Sequence, residues 1–141
     1  MKRRSVLGLL GLGAAAAPAL AAQRKTAPKH HVVLQVSDND PARWTLALNN
    51  AKNVQADLGA EQVQIEIVAY GPGLHMLKAD SAVAGSLAGA LDASVSLIAC
   101  ENTMQNMKVM RDEMYGGISY VQAGVTHIMR RQHEGWAYIR P

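Results

Sequence analysis

Apolar residues occur along the chain in two patterns that alternate with one another. Short runs rich in Val and Ile predict strands, which are buried where the run is continuous, and segments with apolar positions every three or four residues predict helices that pack on a sheet. The predicted strands cover residues 31–37, 62–70, 94–99, 118–122 and 136–139. The predicted helices cover residues 42–58, 80–91, 102–113 and 123–133.

Local signals set the ends of several of these elements. Asp40 is placed to cap the first helix, with Pro41 at the first helical position, and Gly59 ends that helix. A Gly-Pro-Gly turn at 71–73 ends the second strand. Methionines recur in the third helix at intervals of three, three and four residues, which indicates one helical face. They are Met104, Met107, Met110 and Met114.

The order of these elements predicts the fold class. Strands that alternate with helices, in crossovers long enough for parallel pairing, favour an α/β three-layer sandwich with a mostly parallel sheet of about five strands. A chain of 141 residues fits one such domain, which we assign to residues 31–141. Residues 22–30 are polar and without periodicity, and we interpret them as a flexible lead-in.

The first 21 residues have the organisation of an export signal. Basic residues at positions 2–4 precede an apolar run at 6–17, and small residues at Ala19 and Ala21 provide a cleavage site. The paired arginines at positions 3 and 4 resemble the twin-arginine pattern, and both the twin-arginine and the general secretion routes remain open. We therefore expect a periplasmic protein, cleaved near Ala21, with no membrane span in its mature form.

The charge of the chain changes once this leader is set aside. The formal net charge of +3 depends on the three basic residues at positions 2–4, and the remaining basic residues equal the 11 acidic ones. Only 4% of the residues are aromatic, which disfavours base stacking as a mode of action. A nucleic-acid partner is therefore not expected.

Cys100 is the only cysteine, so no intramolecular disulfide can form. It directly follows a predicted buried strand and precedes a predicted helix, where free backbone N–H groups and the helix dipole favour a thiolate. The neighbouring carboxylate of Glu101 works in the opposite direction. A lone cysteine after an apolar run is equally compatible with a small core residue, and that alternative stays open.

Other candidate residues fall at the same predicted edge of the sheet, beyond the carboxyl ends of the strands. His75 is the candidate acid or base, although a solvent-facing loop histidine has the same signature. Asn102 either donates a hydrogen bond to a sulfur anion or caps the third helix. With Gly71 and Gly73 of the glycine loop, it forms the predicted substrate-binding set.

Soft-metal binding is a rival interpretation of the cysteine. Cys100, Met104 and Met107, spaced by four and three residues, offer sulfur ligands to Cu(I) on one helical face. The methionines are equally compatible with a core or subunit-contact stripe. Phosphate-binding loops, nucleophile elbows, C-x-x-C pairs and zinc spacings are missing from the sequence, so we expect no cofactor and no resident metal.

Four segments of the chain resemble the DsrE/DsrF-like sulfur-relay family. They are Ala-Cys-Glu-Asn-Thr-Met at 99–104, Val-Ala-Tyr-Gly-Pro-Gly at 68–73, Gln-Ala-Gly-Val at 122–125, and Glu-Gly-Trp-Ala-Tyr-Ile-Arg-Pro at 134–141. The resemblance covers most of the chain from His31 to Pro141. It implies a DsrE-like sandwich that assembles as trimers or hexamers, in which the matching cysteine carries sulfane sulfur as a persulfide. Only Cys100 inherits that role.

These observations lead to three hypotheses. The first is a periplasmic, homo-oligomeric sulfur carrier, sulfurtransferase-like and free of cofactor, that exchanges sulfur through Cys100 with donor and acceptor proteins. The second is a noncatalytic oligomeric binding module with a structural cysteine. The third is a copper binder that uses Cys100, Met104 and Met107.

Overall fold

The computed structural model describes residues 13–17 and 25–141. The signal-peptide prediction depends mainly on residues 1–12 and 18–21, which lie outside the described residues, as do 22–24 of the lead-in. Residues 25–28 have no regular secondary structure. The backbone N–H of Lys29 donates to the carbonyl of Gln62 at 3.0 Å, so the end of the lead-in already pairs with the domain.

Five parallel strands form one sheet. They are β1 (His30–Val36), β2 (Val63–Ala69), β3 (Ser96–Cys100), β4 (Ser119–Val121) and β5 (Ala137–Ile139). Their order is β4-β3-β2-β1-β5, and every pairing is parallel. The predicted α/β class and parallel sheet are therefore confirmed.

Four α-helices and three short 3-10 segments connect the strands. The helices are α1 (Pro41–Leu58), α2 (Ala84–Asp92), α3 (Glu101–Met107) and α4 (Gly124–His133). The 3-10 segments are Ala60–Gln62, Gly71–Leu77 and Arg111–Glu113. Asp40 caps α1 as predicted, because its Oδ1 accepts from the backbone N–H of Ala42 at 2.9 Å. Gly59 ends α1 with a φ of 91° that favours glycine.

The direction of the crossovers places the helices on both faces of the sheet. From β1 to β4 the chain moves across the sheet in one direction, and the segment from β4 to β5 returns across it. Because parallel crossovers are nearly always right-handed, the returning helix α4 must cover the opposite face from α1 and α2. The two separate clusters of buried apolar residues agree with this three-layer arrangement.

The larger apolar cluster lies between the sheet and the layer that contains α1 and α2. Alternate residues of β1, β2 and β3 point into it, and Trp44 and Leu87 cover them from the helices. The smaller cluster lies under α4 and consists of Val33, Val68, Ile98, Ile128 and Trp136. Within residues 13–17 and 25–141, none of the helices is long and apolar enough to cross a membrane.

Two predicted helix ends lie four or more residues from the observed ones. The third helix ends at Met107 and not at 113, because Lys108 adopts a left-handed conformation with a φ of 56°. The second helix begins at Ala84 and not at 80. The glycine turn at 71–73 continues as a 3-10 segment to Leu77.

The four methionines consequently do not share one helical face. Met104 and Met114 are buried, whereas Met110 is 66% exposed beyond the end of α3.

Candidate functional site

The candidate site lies where two adjacent strands send the chain to opposite faces of the sheet. After β3 the chain enters α3, whose Met104 packs in the larger cluster. After β4 it enters α4, whose Ile128 packs in the smaller one. In open α/β sheets such a switch point leaves a crevice at the carboxyl ends of the strands, where ligands bind. Cys100 is the last residue of β3 and lies at this crevice.

The side chain of Cys100 is directed to the α4 face of the sheet and is largely covered. The residue is 5% exposed, and its Sγ lies 3.8 Å from the carbonyl oxygen of Gln122, which follows β4. The first residue of α4, Gly124, packs so closely that an added Cβ would lie 3.3 Å from the Cβ of Cys100. The start of α4 therefore lies beside Cys100, and the glycine at position 124 allows this close approach.

Hydrogen-bond donors around Cys100 favour its thiolate form. Burial raises the pKa of the Cys100 thiol, but the hydroxyl of Thr103 lowers it, as do backbone N–H groups at Gly124, Thr103 and Asn102. The donors together outweigh burial, so the pKa lies below the ordinary value for cysteine. The carbonyl of Gln122 acts in the opposite direction, because it can accept from the neutral thiol. At 3.8 Å it is a weak acceptor for a thiol.

The charge of Glu101 is partly neutralised by a neighbouring arginine. Its carboxylate lies 3.6 Å from the guanidinium of Arg111, which stacks 4.1 Å from the ring centroid of Tyr120. The sequence-based expectation that Glu101 opposes the thiolate is therefore weakened by a cation held next to the carboxylate.

Thr103 connects the cysteine to the glycine loop. Its Oγ1 accepts from the backbone N–H of Gly71 at 2.9 Å, which leaves its O–H free to donate to Cys100. Gly71 has a φ of 52°, a left-handed conformation that favours glycine. Gly71 thus acts on the sulfur indirectly, by orienting the hydroxyl of Thr103.

Gly73 has a packing role in this arrangement. A Cβ at this position would lie 2.2 Å from the carbonyl oxygen of Val36, at the end of β1. Because this contact is with backbone, no side chain can be accommodated without moving the strand. The predicted substrate-binding residue Gly73 is therefore buried against β1, away from open space.

His75 lies in an open groove beside the site. The groove has a volume of about 390 Å³ and is lined by Gly71, Pro72, His75, Thr103, Asn106 and Met107. Its lining includes Thr103, which is also a neighbour of Cys100.

Asn102 lies on the exposed side of the crevice. Its Oδ1 accepts a hydrogen bond from the side-chain amide of Gln122, and its backbone N–H donates to the Gln122 carbonyl at 3.0 Å. The side chain therefore joins the ends of β3 and β4, and it does not cap α3. Its backbone N–H is also among the donors that lower the pKa of Cys100.

The sulfur ligands of the copper hypothesis have different environments. Met104 is buried in the larger apolar cluster, and Met107 is partly buried against the same cluster and lines the groove. These positions favour a packing role for both methionines. Among residues 13–17 and 25–141, His, Cys, Asp and Glu side chains do not gather in a group of three that could hold a metal ion.

Tyr70 is a neighbour of Cys100 that the sequence did not identify as functional. It follows β2 on the same face, and its Cβ would lie 3.2 Å from a Cβ on Gly124. Burial raises the pKa of the Tyr70 hydroxyl, as do the nearby Tyr138 and Cys100, whereas Arg140 lowers it. The phenol is thus kept neutral beside the sulfur.

Sequence reasoning also missed Thr103 and Gly124. Thr103 lies three residues after Cys100, one helical turn away, which is a signal that the spacing contains. Gly124 is close to Cys100 only through the pairing of β3 with β4, and no local pattern marks that contact.

The fold and the site define an α/β protein with an all-parallel five-stranded sheet and a cysteine at its switch point. A solved structure of MTH1491, a protein of unknown function from Methanobacterium thermoautotrophicum, matches with a TM-score of 0.76 at 39% identity. The match covers 79% of this chain and 99% of MTH1491. The chain belongs to the same family as MTH1491.

A second solved structure shows the same fold at much lower identity. BT1422, a conserved protein of unknown function from Bacteroides thetaiotaomicron, matches with a TM-score of 0.60 at 14% identity, over 79% of this chain and 94% of BT1422. No family model matches the chain. No curated protein matches it either.

Proposed function

We propose that the protein is a sulfur carrier of the DsrE/DsrF type, in which Cys100 holds sulfane sulfur as a persulfide. The observation that supports this proposal most directly is the place of Cys100, which is the last residue of β3 and lies at the switch point beside the start of α4. The hydroxyl of Thr103 and nearby backbone N–H groups lower the pKa of its thiol. The thiolate is the nucleophilic form of cysteine, so the site favours the form that attacks sulfur.

The transfer step needs no redox partner. The Cys100 thiolate attacks the terminal sulfur of a donor persulfide, R–S–SH, forming a new S–S bond while the S–S bond of the donor breaks. The donor leaves as a thiolate, R–S⁻, and Cys100 becomes Cys–S–SH. The reverse attack, by the thiolate of an acceptor, returns Cys100 to its starting form.

The groove next to Thr103 is the proposed approach for the donor. Cys100 itself is 5% exposed, so a donor must reach the sulfur through a neighbouring opening. The groove of about 390 Å³ has the size of a small-molecule site and is lined in part by Thr103, whose hydroxyl lowers the pKa of Cys100. His75 in its wall is the proposed proton donor to the departing thiolate.

Mass spectrometry after exposure to glutathione persulfide tests this function. We expect a gain of about 32 Da, the mass of one sulfur atom, on Cys100 of the folded protein and none in Cys100→Ser. Thr103→Val removes the hydroxyl at nearly constant volume and is expected to slow loading about threefold to tenfold. Thr45→Val, at an exposed position of α1, is the matched control and leaves loading unchanged.

The burial of Cys100 specifically favours the second candidate, a noncatalytic module with a structural cysteine. That candidate predicts a folded protein whose Cys100 takes up no sulfur and resists iodoacetamide, while the urea-unfolded chain reacts. Such a result would overturn the carrier proposal.

We also propose that the protein is exported and that it assembles with copies of itself. Three exposed apolar side chains on the α4 face, Val125, Met129 and Tyr138, offer a surface for assembly into trimers or hexamers. Analytical ultracentrifugation of the mature chain tests the assembly. N-terminal sequencing of protein recovered from the periplasm tests cleavage near Ala21.

A further inference from the structure

Glu66 is the one buried carboxylate among the described residues. It lies in β2, the middle strand of the sheet, and is 3% exposed. One carboxylate oxygen lies 2.7 Å from Nε2 of His127 and 3.0 Å from Nε of Arg131, and the other lies 2.6 Å from Nη2 of Arg131. Both partners belong to α4, so the carboxylate joins the sheet to this helix.

The stability of the protein does not by itself account for this ion pair. Removing a carboxylate and a guanidinium from water costs free energy that their attraction only partly offsets, and a hydrophobic pair of similar volume is often equally stable. A bidentate carboxylate–arginine pair does, however, fix geometry in a way that apolar contacts cannot, because hydrophobic attraction has no preferred direction.

The spacing of the residues shows which geometry is fixed. Gly124, His127 and Arg131 lie three and four residues apart, and therefore on one face of α4. Along β2, Glu66, Val68 and Tyr70 point to that same face, since side chains of a strand alternate. Gly124 packs on Val68 and Tyr70, and His127 and Arg131 meet Glu66.

Helix α4 therefore lies along β2. Its first residue, Gly124, packs against Cys100, and its later residues His127 and Arg131 bind Glu66. We infer that Glu66 is a positioning residue, which fixes the place of α4 along β2 so that the helix start at Gly124 stays against Cys100. The inference deepens the proposed function, on which it rests for its biological meaning, by assigning a second residue to the same site. Apolar contacts under α4 have no preferred direction, so the Glu66 contacts supply the directional constraint along the strand.

Ultraviolet absorbance of the thiolate, titrated against pH in the folded protein, tests this inference. The readout requires no access to the sulfur, and Cys100→Ser provides the blank that removes the tyrosine signal. In Glu66→Gln we expect the thiolate fraction near neutral pH to fall about threefold, because the helix start no longer faces the sulfur. Glu134→Gln is the matched control, because it removes the exposed carboxylate 2.8 Å from Arg131 and leaves Glu66 in place.

Each outcome decides the question. A folded Glu66→Gln protein with the wild-type titration curve shows a merely structural Glu66 and overturns the inference. If Glu66→Gln does not fold, Arg131→Gln removes the bidentate pair from the helix side while Glu66 keeps its contact with His127, and an unchanged curve there has the same meaning.

The readout also separates this inference from the proposed function. The titration uses no sulfur donor, so failure of persulfide loading leaves its result intact.

Discussion

The two faces of the sheet bury side chains of different chemistry. The face under α1 and α2 is closed by a continuous apolar cluster of more than twenty buried residues. The face under α4 has five buried apolar residues and, beside them, a buried carboxylate, its arginine and histidine partners, and the cysteine. The first face supplies the hydrophobic free energy that folds the domain, and the second carries the polar groups that define the candidate site.

The strongest test of this comparison makes one chemical change on each face. Ile67→Ala, within the larger cluster, is expected to lower the free energy of unfolding by about 4 kcal/mol, because close packing on all sides prevents collapse of the cavity. Ile128→Ala, in the smaller cluster under α4, is expected to lower the free energy of unfolding by about 2 kcal/mol, because α4 can move toward the sheet and partly fill the cavity. Urea unfolding measures both, and equal losses would contradict the difference between the faces.

A smaller effect is expected from filling the contact between α4 and the cysteine. In Gly124→Ala the new methyl group would meet Val68, Tyr70 and Cys100 at 3.2 to 3.3 Å, so these side chains or α4 must shift by a few tenths of an ångström. We expect a loss of about 1 kcal/mol in unfolding free energy and a lower thiolate fraction. Gly89→Ala in α2 meets no atom within 4 Å and should instead stabilise by about 0.5 kcal/mol. Stabilisation by both substitutions would show that Gly124 is not needed for close approach.

The smallest expected effect is a pH dependence of stability that comes from Cys100. Since its folded-state pKa is lowered, the thiolate contributes stability that is fully present above the pKa of the unfolded thiol. That contribution is lost as pH falls through the folded-state pKa. The difference in urea midpoint between wild type and Cys100→Ser should therefore grow as pH rises from neutral to alkaline values. A constant difference would show that the site does not favour the thiolate.

The fold could be predicted further than the site because its signals are local. The strands follow from short runs rich in apolar and β-branched residues, and α1 follows from its period and from Asp40, Pro41 and Gly59. The end of α3 could not be predicted, because Lys108 carries no sequence mark of its left-handed conformation. The regular spacing of the methionines therefore led to a predicted helix that was longer than the observed α3.

The site could be predicted only at its centre. Cys100 was found because strand and helix signals meet at it. Its neighbours Gly124 and Tyr70 come from other elements and reach it through sheet pairing, and Glu66 acts through α4. Glu66 stands in an apolar run, where a carboxylate is an exception to the pattern, and that exception was the available sign of a buried partner.

The position of β5 has a consequence for how the protein is made. Val32 in β1 pairs with Ala137 in β5, so this edge of the sheet joins segments about a hundred residues apart. During synthesis on the ribosome, β1 to β4 can pair in the order in which they emerge. The backbone N–H and C=O groups on the outer side of β1 stay unpaired during that time. The outer side of β1 is covered only when β5 has left the exit tunnel, and until then the nascent chain presents an edge to which a chaperone can bind.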